Sequence, residues 1–434
     1  MQEPPKAGPD ALVRSRNGQI RGSLLSWRTL AWLCALTLFA PVVCVLWEAI
    51  VPGHGSDAGS WDHVRANLLW PAMRDTAILV AGVCLFSVLL GVPAAWCIST
   101  LQFRGRGLLS VLLVLPLAVP PYVAAFASTE AREAFIPTLV QVRLEMGVDA
   151  YLKVELIHRF AWLILIFSAV LYPYVFLACR SAFSGSSRRL AEASRALGAG
   201  GWATFRKINL PLARPALVAG LFLVAMEVIN DYGAVHHLGI NTMTVTIFRT
   251  WFSLGELETA RRLAGWMLLG IFTLVLLEQW QRGRRGFLSG QEGIPPRPKC
   301  GLVGSIICWL VCMIPVTLGL LVPLFILVQW WRASTRPDAA PEIFAAARNS
   351  LFLGVGVTLA CLILGLVIAG VARFTKRRSD RLMAHGSGIA GYASPGAVMA
   401  AGVFALAAAL RAWFPPDSWL GARLLSDSLL WLGF

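Results

Sequence analysis

Nine stretches of this 434-residue chain are apolar for long enough to cross the hydrocarbon core of a bilayer, with short segments rich in Arg and Lys between them. At 1.5 Å of rise per residue, a helix needs about 20 residues to span roughly 30 Å. The runs fall near 29–50, 76–100, 108–127, 160–179, 215–238, 263–281, 302–330, 350–372 and 384–410, and a partial tenth begins near Leu424. With 57% apolar and only 14% charged residues, the chain carries more hydrophobic surface than one soluble core could bury. The fold class that follows is all-α, a polytopic transmembrane helical bundle.

The charge is placed as orientation signals are. A net charge of +15 suits nucleic acid in principle, but the cations sit in clusters beside apolar runs, where they read as topology determinants next to anionic lipid. With the N-terminus in the cytoplasm, the inner segments hold 24 of the 38 Lys and Arg, the arrangement that the positive-inside rule favours. Residues 1–28 then form a cytoplasmic tail ahead of an uncleaved first helix, whose apolar run exceeds a signal-peptide core. The cysteines are scattered, and Cys308 and Cys312 lack the paired spacing of a zinc or redox site. Tryptophans near segment ends, among them Trp27, Trp47, Trp70, Trp202 and Trp331, suit interfacial anchors.

The chain also repeats. Without gaps, Arg74 aligns with Arg348, Gly82 with Gly356, Gly91 with Gly365, Ala95 with Ala369, Arg104 with Arg378 and Pro121 with Pro395, all at one shift of 274 positions. Two sequence-related halves are expected: a first repeat of about six helices at 29–281, a cytoplasmic linker at 282–300 rich in Arg, Gly and Pro, and an incomplete second repeat at 301–434. On this register the mate of Glu192 lies past Phe434, so a C-terminally shortened chain, unable to transport by itself, is the expectation.

Between two apolar runs, Arg188 to Pro211 is a basic polar interruption with helical order. Leu190, Ala193 and Leu197 share one helical face. Gly198 suits the left-handed residue that ends such a helix, and Gly200 and Gly201 allow a sharp turn. A second short helix is expected over Trp202–Ile208, stopped by Pro211 and Pro215 before the next span. Small residues at Ala191, Ala193, Ser194 and Ala196 permit close approach to a partner groove, and Arg188, Arg189, Arg195, Arg206 and Lys207 ring them with charge.

Glu192-Ala193-Ser194, three residues, Gly198, nine residues and then Ile208-x-Leu210-Pro211 resemble the EAA signature of bacterial ABC importer permeases, with Ser194 where the family usually has alanine. Leu115 to Ala124, Val170 to Val175, Met226 to Val235 and Thr246 to Phe252 resemble the two-repeat permeases of ferric iron importers. The resemblance implies an inner-membrane permease subunit of an ATP-binding-cassette importer, with Glu192, Ala193, Ser194, Gly198, Ile208, Leu210 and Pro211 docking on a cytoplasmic ATPase dimer. It also implies a periplasmic substrate-binding protein as partner. No G-x-x-x-x-G-K-[ST] stretch occurs in the chain. No cofactor is therefore expected on it, and ATP is expected to be used by the partner ATPase, so the chain reads as a transport component and not an enzyme.

Glu227, Asn230 and Asp231 are the polar residues of an otherwise apolar run, with both carboxylates on one helical face. Charge within a bilayer costs at least about 2.5 kcal/mol, so such groups face a cavity or a partner. They are candidates for a translocation pathway, and oxygen ligands suit ferric iron in transit. A plainer role is equally open: Asp231 capping a helix, or either acid held by a neighbour. Pro116, Pro120 and Pro121 are expected to break the third helix, as Pro395 and Gly396 break its repeat mate. His236 and His237 stand near the outer end of the 215–238 run, and no metal site is assigned to them. A proton-coupled secondary transporter, with Asp231 or Glu227 titrating, is the alternative function. Thiamine, phosphonate or another small solute is the alternative cargo.

Overall fold

The computed structural model describes residues 9–50, 58–184, 198, 200–282, 298–333, 340–375, 377–393, 395, 396, 398–403 and 406. They are helical almost throughout, and their one extended pairing is an isolated parallel bridge between Gln102 and Lys299. The principal helices are α1 (Pro9–Ile50), α2 (Trp70–Thr100), α3 (Arg106–Leu112), α4 (Pro121–Ala127), α5 (Ile136–Met146), α6 (Val148–Ser184) and α7 (Leu210–Asn230). They continue with α8 (Gly233–His237), α9 (Met243–Phe248), α10 (Leu257–Arg282), α11 (Leu302–Val316), α12 (Val322–Ala333), α13 (Ala340–Phe374) and α14 (Arg378–Ala393). Among the described residues seven helices are long and apolar enough to cross a membrane, or eight if the bent pair around α3 and α4 is one span.

The chain divides into two compact units. One contains α1, α13 and α14; the other contains α2 to α12. The units cut across the sequence halves. The leading helix of the first half, α1, belongs with α13 and α14 of the second, and the leading helix of the second half, α11, belongs with α2 to α10 of the first.

In the larger unit everything closes on α6, and glycine is what lets it close. A methyl group placed at Gly91 of α2 would lie 3.0 Å from the Tyr172 carbonyl oxygen, and one at Gly220 of α7 would lie 3.1 Å from the Tyr174 carbonyl oxygen. At Gly319, in the wide turn Thr317–Leu321 between α11 and α12, it would collide with the backbone of Ala169. Three helices thus reach the α6 backbone through positions that carry no side chain, the usual way for apolar helices to pack where lipid competes equally for every leucine. The Tyr172 ring is fully buried there, and its hydroxyl donates to the Leu113 carbonyl at 3.0 Å.

Prolines place the interruptions. The third apolar run is broken by a bend of 87° between the segments Arg106–Ala118 and Pro121–Ala127. Pro120 is extended there, at φ −58° and ψ 136°, as the residue before a proline prefers. The run 215–238 is not one helix: α7 ends at Asn230, Asp231 is extended, and α8 starts at Gly233. The expected stop at Pro211 and Pro215 does not occur. Gly201 to Asn230 runs on as one helical span, because the wide turn Phe205–Asn209 shifts the hydrogen bonds to i−5, with Leu210 N–H donating to the Phe205 carbonyl. That register makes room for the Pro211 ring and its missing N–H. The run 384–410 lies partly outside the described residues.

In the smaller unit, α1 is pinned to α14 by charge. Arg28 Nε donates to Asp380 Oδ2 at 2.9 Å and Trp32 Nε1 to Asp380 Oδ1 at 3.1 Å, while Ala31 and Ala35 pack on Met383.

Candidate functional site

The segment expected to dock on a partner is described from Gly198 onward; Glu192, Ala193 and Ser194 lie outside the described residues. Gly198 adopts φ +73°, the left-handed geometry its position demanded. Gly200 is extended, and its carbonyl accepts from Thr204 N–H at 3.0 Å to start the helical turn Gly201–Thr204. Ile208 and Leu210 are half-buried and Pro211 is exposed.

One anchoring residue was missed from sequence. Phe205 is buried and sits between Trp96 of α2, at 5.3 Å between ring centroids, and Phe183 of α6, at 6.1 Å, with exposed Trp202 stacked on it at 5.3 Å. The polar interruption is therefore fastened to the ends of two spans by a single aromatic plug. Its signal was a lone Phe inside a basic stretch, which periodicity cannot separate from an ordinary apolar position. Arg206 and Lys207, its neighbours, are exposed.

The candidate pathway residues come at the broken end of α7. Glu227 is half-buried and its Oε1 accepts from the Tyr174 hydroxyl at 3.0 Å. Asp231 ends the helix, and its Oδ1 accepts from Ala234 N–H at 2.8 Å, so it caps the start of α8. Asn230 Oδ1 is buried and has no hydrogen-bond partner among the described residues. The break separates what an unbroken helix would have kept on one face: Glu227 stays on α7, and the Asp231 carboxyl turns toward α8. His237 Nε2 is 2.9 Å from Thr129 Oγ1, next to the Phe126 ring, and His236 stacks on Tyr232 at 5.0 Å. Among the described residues no three His, Cys, Asp or Glu side chains converge as metal ligands.

Residues 87–277, from the middle of α2 almost to the end of α10, match the family described as binding-protein-dependent transport system inner membrane component. Among similar curated proteins, a probable molybdenum ABC transporter permease protein of Haloferax volcanii is 30% identical over 194 residues, covering 44% of this chain and 68% of that protein. The molybdenum transport system permease protein ModB of Escherichia coli is 30% identical over 169 residues, covering 38% of this chain and 69% of ModB. The Fe(3+)-transport system permease protein FbpB 2 of Haemophilus influenzae is 24% identical over 297 residues, covering 66% of this chain and 54% of that protein.

Proposed function

The chain belongs to the family of binding-protein-dependent transport system inner membrane components, and on that premise we propose that it lines the pathway of an ATP-driven importer for an oxyanion of the molybdate kind. It is a multi-pass membrane protein and a transport component, not an enzyme. In our reading the N-terminus is cytoplasmic, a cytoplasmic ATPase dimer grips the segment from Glu192 to Pro211, and a binding protein on the other face delivers the solute. The ATPase, not this chain, uses ATP. Phe205, wedged between Trp96 and Phe183, makes movement of the gripped segment a movement of α2 and α6.

What supports the oxyanion is that relatives at 30% identity are named for molybdenum, whereas the ferric relative stands at 24%. The chemistry of the α7 break agrees. Glu227 Oε1 accepts from the Tyr174 hydroxyl and Asp231 Oδ1 from the Ala234 N–H, and among the described residues no three His, Cys, Asp or Glu side chains gather as a trivalent cation would ask. Ferric iron is the second reading, favoured by one observation: the ferric relative aligns with 66% of this chain, against 44% for the molybdenum permease of Haloferax volcanii.

The test is ATP hydrolysis by the chain reconstituted with its ATPase and binding protein. Molybdate-loaded binding protein should stimulate hydrolysis, and stimulation by ferric iron alone would overturn the oxyanion assignment. Gly198→Pro should abolish stimulation while leaving membrane insertion intact, because proline holds φ near −65° where the segment needs +73°. Undiminished stimulation in that variant would sink the docking assignment.

A further inference from the structure

A groove of about 830 Å³ opens in the larger unit where α11 passes the turn between α2 and α3. Its mouth carries Arg104 and Lys299, both exposed, and among the described residues neither is paired with a carboxylate. Its wall is Leu302, Ile306, Leu310 and Met313, one stripe of α11, of which Leu302 is 81% and Leu310 59% exposed. At 1.5 Å per residue that stripe runs for about 16 Å, close to half of a 30 Å hydrocarbon core. The groove is thus one leaflet deep, cationic at the water and apolar below.

The smaller unit contains its counterpart, and the contrast says what is missing. A groove of about 560 Å³ there is lined by Trp32, Leu36 and Phe39 of α1, which stand 274 positions before Ile306, Leu310 and Met313. Beside it the cation has its own anion: Arg28 binds the buried carboxylate of Asp380. The position 274 residues before Asp380 is Arg106, whose Nε is turned inward to the Ile98 carbonyl at 2.6 Å. Where a carboxylate stands beside one groove, a cation stands at the corresponding position beside the other.

We propose that the groove between α11 and the α2–α3 turn binds an anionic phospholipid, its phosphate on Arg104 and Lys299 and one acyl chain along Leu302, Ile306, Leu310 and Met313. The lipid supplies the negative charge that Asp380 supplies in the other unit. It lies on the joint that fastens α11: the Gln102–Lys299 bridge, with Gln102 N–H donating to the Pro298 carbonyl at 3.0 Å and Cys300 N–H to the Gln102 carbonyl at 3.0 Å. The site does not depend on which solute is carried.

The test is a lipid titration of the purified full chain in neutral detergent, read by native mass spectrometry. Phosphatidylglycerol should be retained and phosphatidylcholine with the same acyl chains should not. Arg104→Gln with Lys299→Gln should weaken retention roughly thirtyfold, and each single change about fivefold, which keeps the test decisive if the double variant fails to fold. Lys153→Gln, at an exposed cation on α6, should leave it unchanged. Equal retention of the two lipids, wild-type retention in the groove variants, or glycerol phosphate binding as well as the lipid would each overturn the proposal.

Discussion

α2 and α13 align at a shift of 274 positions and stand in different company. Gly82 and Gly91 of α2 recur as Gly356 and Gly365 of α13, and α2 ends at Thr100 where α13 ends at Phe374, 274 positions later. Yet a third of the most apolar window of α2 is buried, against 6% for α13. A methyl at Gly91 would press on Tyr172, Val175 and Phe176, whereas one at Gly365 would meet nothing within 4 Å among the described residues. Helix boundaries are set by local sequence and so survive the change of neighbours. The use of a glycine is set by the partner that lies over it, and does not.

The comparison breaks most visibly by filling the two glycines. Gly91→Leu forces side-chain volume against the α6 backbone, which cannot yield as a side-chain tip can, and should cost about 3 kcal/mol or more. The expected outcome is loss of monodisperse protein on size exclusion after mild heating. Gly365→Leu should shift the melting temperature of the same chain hardly at all, within about 0.5 kcal/mol. Equal damage from both would mean that α13 also has a helix packed on its glycine face.

The two leading helices give the next contrast, since α1 is pinned by an ion pair and α11 by backbone and indole hydrogen bonds. Burial alone would raise the Asp380 carboxyl, but the Arg28 guanidinium and the Trp32 indole N–H outweigh it and hold it below the usual carboxylate range. A group with a lowered folded-state pKa stabilises the fold above its ordinary value, about 3.9, and that contribution is lost as pH falls through the lowered one. Asp380→Asn should therefore cost about 3 kcal/mol at neutral pH by stranding Arg28. It should also flatten the acid limb of the stability profile, read by thermal melts from pH 7 to 3. An unchanged acid limb would show that the pair does not hold α1.

How much of this was legible in the sequence follows from the same distinction. The run 302–330 appears as α11, its wide turn and α12, and the run 29–50 falls within α1, because length and apolarity act locally. The bend at Pro120 was legible for the same reason, since proline acts on its own backbone. Pro211 was misread because the wide turn that absorbs it, Phe205–Asn209, has no composition of its own. Glu227 and Asp231 share a face on paper, and a helix cap was the other role left open for Asp231; its Oδ1 accepts from Ala234 N–H, a partner that only the fold identifies. Phe205 was invisible because Trp96 and Phe183, the residues that make it an anchor, both lie more than 20 positions earlier in the chain.

The smallest effect separates the two leading helices most finely. Trp309 Nε1 donates to the Arg104 carbonyl at 2.9 Å, a neutral acceptor at a partly wet edge, while Trp32 Nε1 donates to the Asp380 carboxylate. Hydrogen bonds to charged acceptors contribute more than those to carbonyls, so Trp32→Phe should cost about 1.5 kcal/mol and Trp309→Phe about 1 kcal/mol or less. The pH dependence sharpens the reading. The Trp32 cost should shrink only as pH falls below the usual carboxylate range, through the lowered value of Asp380, whereas the Trp309 cost should stay constant, because a backbone carbonyl has no charge to lose. Chemical melts of the two variants from pH 7 down to about pH 2 decide it: parallel behaviour would mean that α1 and α11 are held alike, and that the carboxylate beside the first groove is not what distinguishes it from the second.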